Sequence, residues 1–316
     1  MEISTKKSNH AVKTFLSIGI AVVVMWFLLT SLYQNRDFFN QQHLAFSPWQ
    51  FGISLIPLVI SNLFIPSIWC SILASSGIAL SYRKAFRIQY LTHLGKYIPG
   101  RIWSYITQTH LASREQISIA ETLSSNIMLT LIMNLSGIFI FFLSFLYWDI
   151  FTLPTRGLIV LLSVFLISSL FRWRILEKCI NLILARFTSQ QTTFRYESLQ
   201  YIFLIVTATL SWSIFAIGLH IMISSFYDIH ISQSIIIVGL FAISWLAGYY
   251  TFISPSGLGV QEGVLVYLLS FFFPVPISIV VALALRLWII LGDIILFLLA
   301  IALTMRDHQL QKDVHE

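Results

Sequence analysis

Apolar residues run along this chain in long, nearly unbroken blocks, without the alternation that marks strands. They fall at about 15–32, 50–73, 123–147, 153–171, 199–224, 234–252 and 277–303, with a shorter block at 263–273 ahead of Pro274. A helix needs ~20 residues to cross ~30 Å of hydrocarbon, so the pattern predicts eight membrane-spanning helices. For the short block, the helix is expected to begin inside the Gly-rich segment before it. Lys6, Lys7 and Lys13 precede the first block as in a secretory leader, but Thr30-Ser31-Leu32 is no A-x-A cleavage site. That block therefore reads as a retained span.

Composition narrows the class. Hydrophobic types make up 57% of the 316 residues and charged types 10%, against roughly 25% charged in a soluble domain. This deficit excludes a water-soluble globular domain, a disordered chain and a nucleic-acid binder. The excess of basic residues is instead a membrane-flank signal. With eight spans, segments 1–14, 75–121, 172–198 and 304–316 share one side and hold sixteen of the nineteen Lys and Arg, against Arg36 and Arg156 opposite. The positive-inside rule then places both termini in the cytoplasm. The division expected is a cytoplasmic N-terminus at 1–14, a transmembrane domain at 15–303 and a cytoplasmic tail at 304–316. Cys70 and Cys179 are assigned to a span and a cytoplasmic segment, so neither a disulfide nor a metal cluster is expected. Within 172–187, apolar positions recur at helical spacing between Arg172, Arg174, Lys178 and Arg186. This reads as a basic amphipathic helix on an anionic membrane surface, or as a linker between two halves of the bundle.

Two segments break the pattern. LTHLGKYIPGRIWSYITQ, residues 91–108, is too polar for a span and too apolar for a free loop. Pro99-Gly100 interrupts any helix there. Irregular backbone at membrane depth persists only where protein or a water-filled cavity supplies hydrogen bonds, so a re-entrant, cytoplasmic-side hairpin is expected. SPSGLGVQEG, residues 254–263, opens an aliphatic helix with Glu262 in its first turn, where the helix dipole favours a carboxylate. Each break sits between pairs of spans, which suggests two parallel structural repeats.

Charges inside the last span demand partners, because each costs at least ~2.5–3.5 kcal/mol at the bilayer centre. Arg286 and Asp293 are seven residues apart, on one face but ~10 Å apart along the axis. Each should therefore pair elsewhere, and Glu262 is the expected partner of Arg286. Such a charge either fixes helix register or meets an anionic head group. His220 reads as a hydrogen-bonded packing residue, and Asn126 and Asn134 as interhelical hydrogen-bonders. Ser118 and Glu121 fit a capping box.

LGKYIPGRIWSYITQ, then SPSGLGVQEGVLVYLL, then ALALRLWIILGD resembles the lysylphosphatidylglycerol synthase transmembrane-region family, the flippase-like domain of bacterial multiple peptide resistance factors. The likeness runs from about Phe15 to Leu303. Its motif residues are Gly95, Pro99, Gly100 and Arg101, then Pro255, Gly257, Gly259, Glu262 and Gly263, then Arg286. The family often carries charges early in the span after the first break, where this chain has Asn126 and Asn134. The aminoacyl-transferase domain of full-length synthases is absent from the sequence. The resemblance thus implies lipid handling in a bacterial inner membrane, not aminoacyl transfer.

Three functions follow as expectations. The first is a translocase for a phospholipid or polyprenyl-linked glycan, or an accessory to envelope lipid synthesis. There Lys96 and Arg101 draw in a phosphate and Arg286 holds it, with Glu262 tuning the contact. The second is a scaffold for a soluble synthase or glycosyltransferase. The third is an intramembrane lipid-modifying enzyme, for which Glu262, Asp37, Asp149 and Asp228 are scattered candidates. No catalytic set is recognisable, and no P-loop, cofactor or metal motif is present in the sequence. Membrane lipids are the expected partners, with no nucleic acid.

Overall fold

A computed structural model describes residues 46–98, 102–148, 154–159, 198–251 and 255–313, with isolated positions at 26, 30, 33, 152, 161, 178 and 182. The described residues form helices and turns, with no strand among them. Among the described residues, five helices are long and apolar enough to cross a membrane. They contain α1 (Pro48–Ser75), α4 (Ile119–Ser144), α5 (Ser198–Ser224), α6 (Ile231–Tyr250) and α8 (Val275–Asp313). Between them lie three shorter helices, α2 (Tyr82–His93), α3 (Ile102–Ser113) and α7 (Val260–Leu269).

Local chemistry sets these boundaries. Ser47 caps α1, accepting from the Gln50 amide, and Pro48 starts the helix, where a missing N–H costs nothing. The predicted capping box opens α4: Glu121 N–H donates to Ser118 Oγ, and Ser118 N–H donates to Glu121 Oε2 at 2.8 Å. Ahead of α7, Ser256, Gly257 and Gly259 all adopt positive φ, so the chain reverses there.

α1 and α5 run antiparallel as the central pair. Ser211 Oγ donates to the Ser61 carbonyl at 2.8 Å, and Ser47 N–H to the Ser225 carbonyl at 2.7 Å. Trp69 Nε1 ties α1 to α4 through Ser125 Oγ. α6 packs on α4, α7 on α6, and α8 on α2, α7 and α1. Exposed apolar side chains then line outward faces, Phe203, Val206, Leu210 and Ile217 on α5 and Leu287, Leu291, Ile294 and Leu298 on α8. In water such stripes would be an aggregation hazard; at this spacing they are the lipid-facing sides of spans.

The first broken segment is a hairpin. α2 and α3 have twelve residues each, ~18 Å, too short to cross. They pack on each other, with the turn of 3-10 helix Leu94–Tyr97 at the tip. Lys84 and Glu115 pair across the base at 2.6 Å. The expected re-entrant region, 91–108, is thus the inner part of a longer hairpin that starts at Tyr82. Its seat on α1 follows from Pro66, which has no N–H to satisfy the carbonyl four residues back. That carbonyl belongs to Asn62, and the Tyr90 phenol donates to it.

Of the eight expected spans, 15–32 and 153–171 lie almost wholly outside the described residues, as do Pro99, Gly100, Arg101 and most of 172–198. The comparison of parallel repeats depends on those two spans and falls outside with them. The block at 263–273 differs from expectation. Its helix does begin in the Gly-rich segment, but α7 has ten residues, ~15 Å, half a crossing. The left-handed backbone through Gly259 fixes its start, and the turn before Pro274 fixes its end.

Candidate functional site

α8 carries the two intramembrane charges, and both are buried: Arg286 is 7% exposed and Asp293 5%. Each is met by one of the broken segments. The tips of the two segments, Leu94–Tyr97 and Pro255–Gly257, touch each other beside α8.

Asp293 faces the first segment. Lys96 Nζ lies 2.7 Å from its Oδ2, and Tyr97 Oη donates to the same oxygen at 2.6 Å. His93 Nε2 lies 3.3 Å from Oδ1 and 2.7 Å from Lys96 Nζ. His93, Lys96 and Tyr97 share a helical face by their three- and four-residue spacing. The close approach that places them requires Gly95, where a Cβ would meet the Ser104 backbone nitrogen at 2.9 Å.

Arg286 faces the second segment. Its Nη1 lies 3.2 Å from Glu262 Oε1 and donates to the Ser256 carbonyl at 3.2 Å. The contact with Glu262 is an ion pair without hydrogen-bond alignment, since Oε1 has no donor. The other Glu262 oxygen accepts the Gly259 N–H at 2.6 Å, which holds the carboxylate at the start of α7. The turn packs tightly on α6: at Gly257, φ is +71° and a Cβ would lie 2.8 Å from Gly248 Cα. Tyr97 links the two charge sites, its ring centroid 5.7 Å from the Arg286 guanidinium.

Arg286 Nε and Nη2 are buried and have no hydrogen-bond partner. These two nitrogens form one planar edge of the guanidinium, the edge that grips two oxygens of a phosphate or carboxylate at once. Arg286 lines a cavity of about 320 Å³. Lys96, Tyr97, His93 and Asp293 line it too, with amide and hydroxyl groups from α2, α3 and α4 and aromatic rings from α5 and α6. The volume is at the low end for a small-molecule pocket, ~300–1,000 Å³. It suits a head group rather than a whole lipid.

Of the residues singled out from sequence, Lys96, Glu262 and Arg286 converge here, with Gly95, Gly257 and Gly259 shaping the backbone around them. Gly263 has open space about its Cα and serves as an ordinary first-turn residue of α7. Asn126 accepts from Gln108 Nε2 at 3.2 Å, Asn134 donates to Tyr250 Oη at 2.7 Å, and His220 Nδ1 lies 2.7 Å from Ser234 Oγ. Nothing in the sequence pattern alone singles out His93, Tyr97 or Gln89 as site residues. The spacing of His93 and Tyr97 around Lys96 comes nearest to a signal. No group of three or more metal-ligating side chains occurs among the described residues.

Spans, two broken segments and a buried cavity between them define a polytopic all-α membrane protein with an internal polar site. The chain belongs to the family described as lysylphosphatidylglycerol synthase TM region, which it matches over residues 14–302. It is therefore a membrane domain of a family linked to lipid modification or transport. No curated protein matches the chain.

Proposed function

We propose that the protein is a non-enzymatic lipid translocase of the bacterial inner membrane. α7 returns the chain to the C-terminal end of α4, where Phe272 packs on Trp148 at 4.9 Å, so α6 and α7 count as one excursion from that side and both termini lie in the cytoplasm. It binds the phosphate of a phospholipid or polyprenyl-linked glycan at Arg286 and passes the head group through the cavity. The observation that carries this reading is the unpartnered Nε/Nη2 edge of a buried arginine that lines a cavity among the spans. An arginine kept only for helix register needs no such edge. A cavity of head-group size leaves the acyl chains in lipid throughout. Lys96 is tied to Asp293, so in this reading it holds the hairpin in place and is not the first cation a phosphate meets. Synthesis enzymes or glycosyltransferases of the envelope are the natural partners.

The test is translocation of a labelled phospholipid in proteoliposomes. Arg286→Lys keeps the charge but loses the fork, and transport should fall at least tenfold. Arg286→Gln should abolish it, and adding Glu262→Gln should not restore it. Full transport by the double variant would reject the phosphate site and leave Arg286 as an ion-pair partner alone.

A further inference from the structure

Two cations and two carboxylates meet at the cavity, and they cancel. Lys96 pairs with Asp293, and Arg286 with Glu262. Among the described residues the site is therefore neutral while His93 is uncharged. A monoanion on the Arg286 edge leaves it one charge negative, and a net charge held out of water is costly. A proton added alone leaves it one charge positive, at a similar cost. Anion and proton together restore neutrality, so a site of this kind favours taking up both at once.

His93 is placed to take that proton. Its Nε2 lies 2.7 Å from Lys96 Nζ and 3.3 Å from Asp293 Oδ1. An ammonium group only donates, so the neutral ring meets Lys96 with its bare nitrogen and carries its proton on Nδ1. A proton arriving at Nε2 gives that nitrogen an N–H for Asp293 Oδ1, while Lys96 keeps Oδ2. It also crowds two cations onto one carboxylate, a repulsion that a nearby anion offsets. The His93 side chain lines the cavity and is 32% exposed, so a proton has a way in. Tyr97 stands between this site and the anion edge, its phenol on Asp293 and its ring beside Arg286. Around His93, α2 also brings Tyr90, with ring centroids 5.8 Å apart. Of the other elements packed on α2, α3 carries Tyr105 and His110 and α1 carries Cys70, so neither adds a carboxylate.

We propose that His93 is a proton-binding site, and that one proton enters it with each phosphodiester monoanion bound at Arg286. The proton comes from water, rests on Nε2 and returns to water when the anion leaves. Translocation then carries anion and proton in the same direction, and a proton gradient across the membrane can drive it. This inference rests on the reading of Arg286 as a phosphate site.

The experiment is calorimetric titration of the purified full chain in detergent with short-chain phosphatidylmethanol, a phosphodiester that stays a monoanion near neutral pH. Buffers of different ionisation enthalpy count the protons taken up. Between pH ~5 and ~8, where histidine changes charge, up to one proton should enter per lipid bound. Affinity should fall by up to about tenfold for each unit rise in pH. His93→Gln keeps a neutral acceptor for Lys96, and it should show no uptake and a flat profile at the weak, alkaline level. Binding by the unaltered protein without proton uptake would overturn the inference and leave the phosphate site standing. Uptake that persists in His93→Gln would put the proton elsewhere and overturn it as well. Absence of binding at every pH, or binding unchanged in Arg286→Lys, rejects the phosphate reading and takes this inference with it. If His93→Gln does not fold, the proton count on the unaltered protein still carries the test.

Discussion

Asp293 and Arg286 sit seven residues apart on the same helix, equally buried, yet their surroundings differ in kind. Asp293 receives a lysine, a histidine and a phenol from one hairpin tip, and both its oxygens are engaged. Arg286 has one nitrogen in contact with Glu262 and Ser256 and two with no partner. A fully engaged buried charge serves structure, because its solvation has been replaced entirely by protein. A partly engaged one retains a desolvation cost that a ligand can relieve. The two sites thus divide the work of one helix: Asp293 anchors the hairpin tip to α8, and Arg286, which lines the cavity, keeps two buried donors unmatched.

The contrast makes unequal predictions for stability. Asp293→Asn should have the largest effect, about 3–5 kcal/mol, because it strands the half-buried Lys96 beside His93. Thermal or denaturant unfolding in detergent measures it, and pairing Asp293→Leu with Lys96→Met should recover most of the loss. Arg286→Gln should cost less, about 2 kcal/mol, because Glu262 keeps the Gly259 N–H and its place in the first turn of α7. A loss as large as that of Asp293→Asn would erase the distinction between the sites. Tyr97→Phe should be mildest, about 1 kcal/mol, since Lys96 and His93 still hold Asp293 and the ring still covers Arg286. Translocation by Tyr97→Phe should stay near the level of the unaltered protein.

Much of this arrangement can be read in the sequence, and the limit lies where chain separation grows. Apolar block length exposes the long spans, because hydrocarbon thickness sets it directly. Pro and Gly expose the two breaks, because they act on local backbone. The pairing of Glu262 with Arg286 is inferable because two buried opposite charges twenty-four residues apart must each find a partner. Lys96 with Asp293 follows the same logic, but 197 residues separate them, and nothing local says that the first hairpin reaches α8. The helix at Tyr82–His93 escapes notice because three of its residues are Arg83, Lys84 and Arg87, which read as a cytoplasmic loop. Its buried face, with Ala85, Phe86, Ile88 and Tyr90, emerges only against α1 and α8. The shortness of α7 depends on left-handed backbone at Ser256, Gly257 and Gly259, and glycine permits that conformation without demanding it.

The missing amide at Pro66 bears on biogenesis. α1 leaves the ribosome before the hairpin does, carrying a carbonyl at Asn62 that its own helix cannot satisfy. A twelve-residue helix with three basic side chains has no independent reason to enter a membrane. The acceptor waiting on α1 gives the Tyr90 phenol a reason to stay there. The proline thus acts as an assembly mark: it leaves one vacancy in an early span, at the place where a later segment, too short to insert by itself, comes to rest.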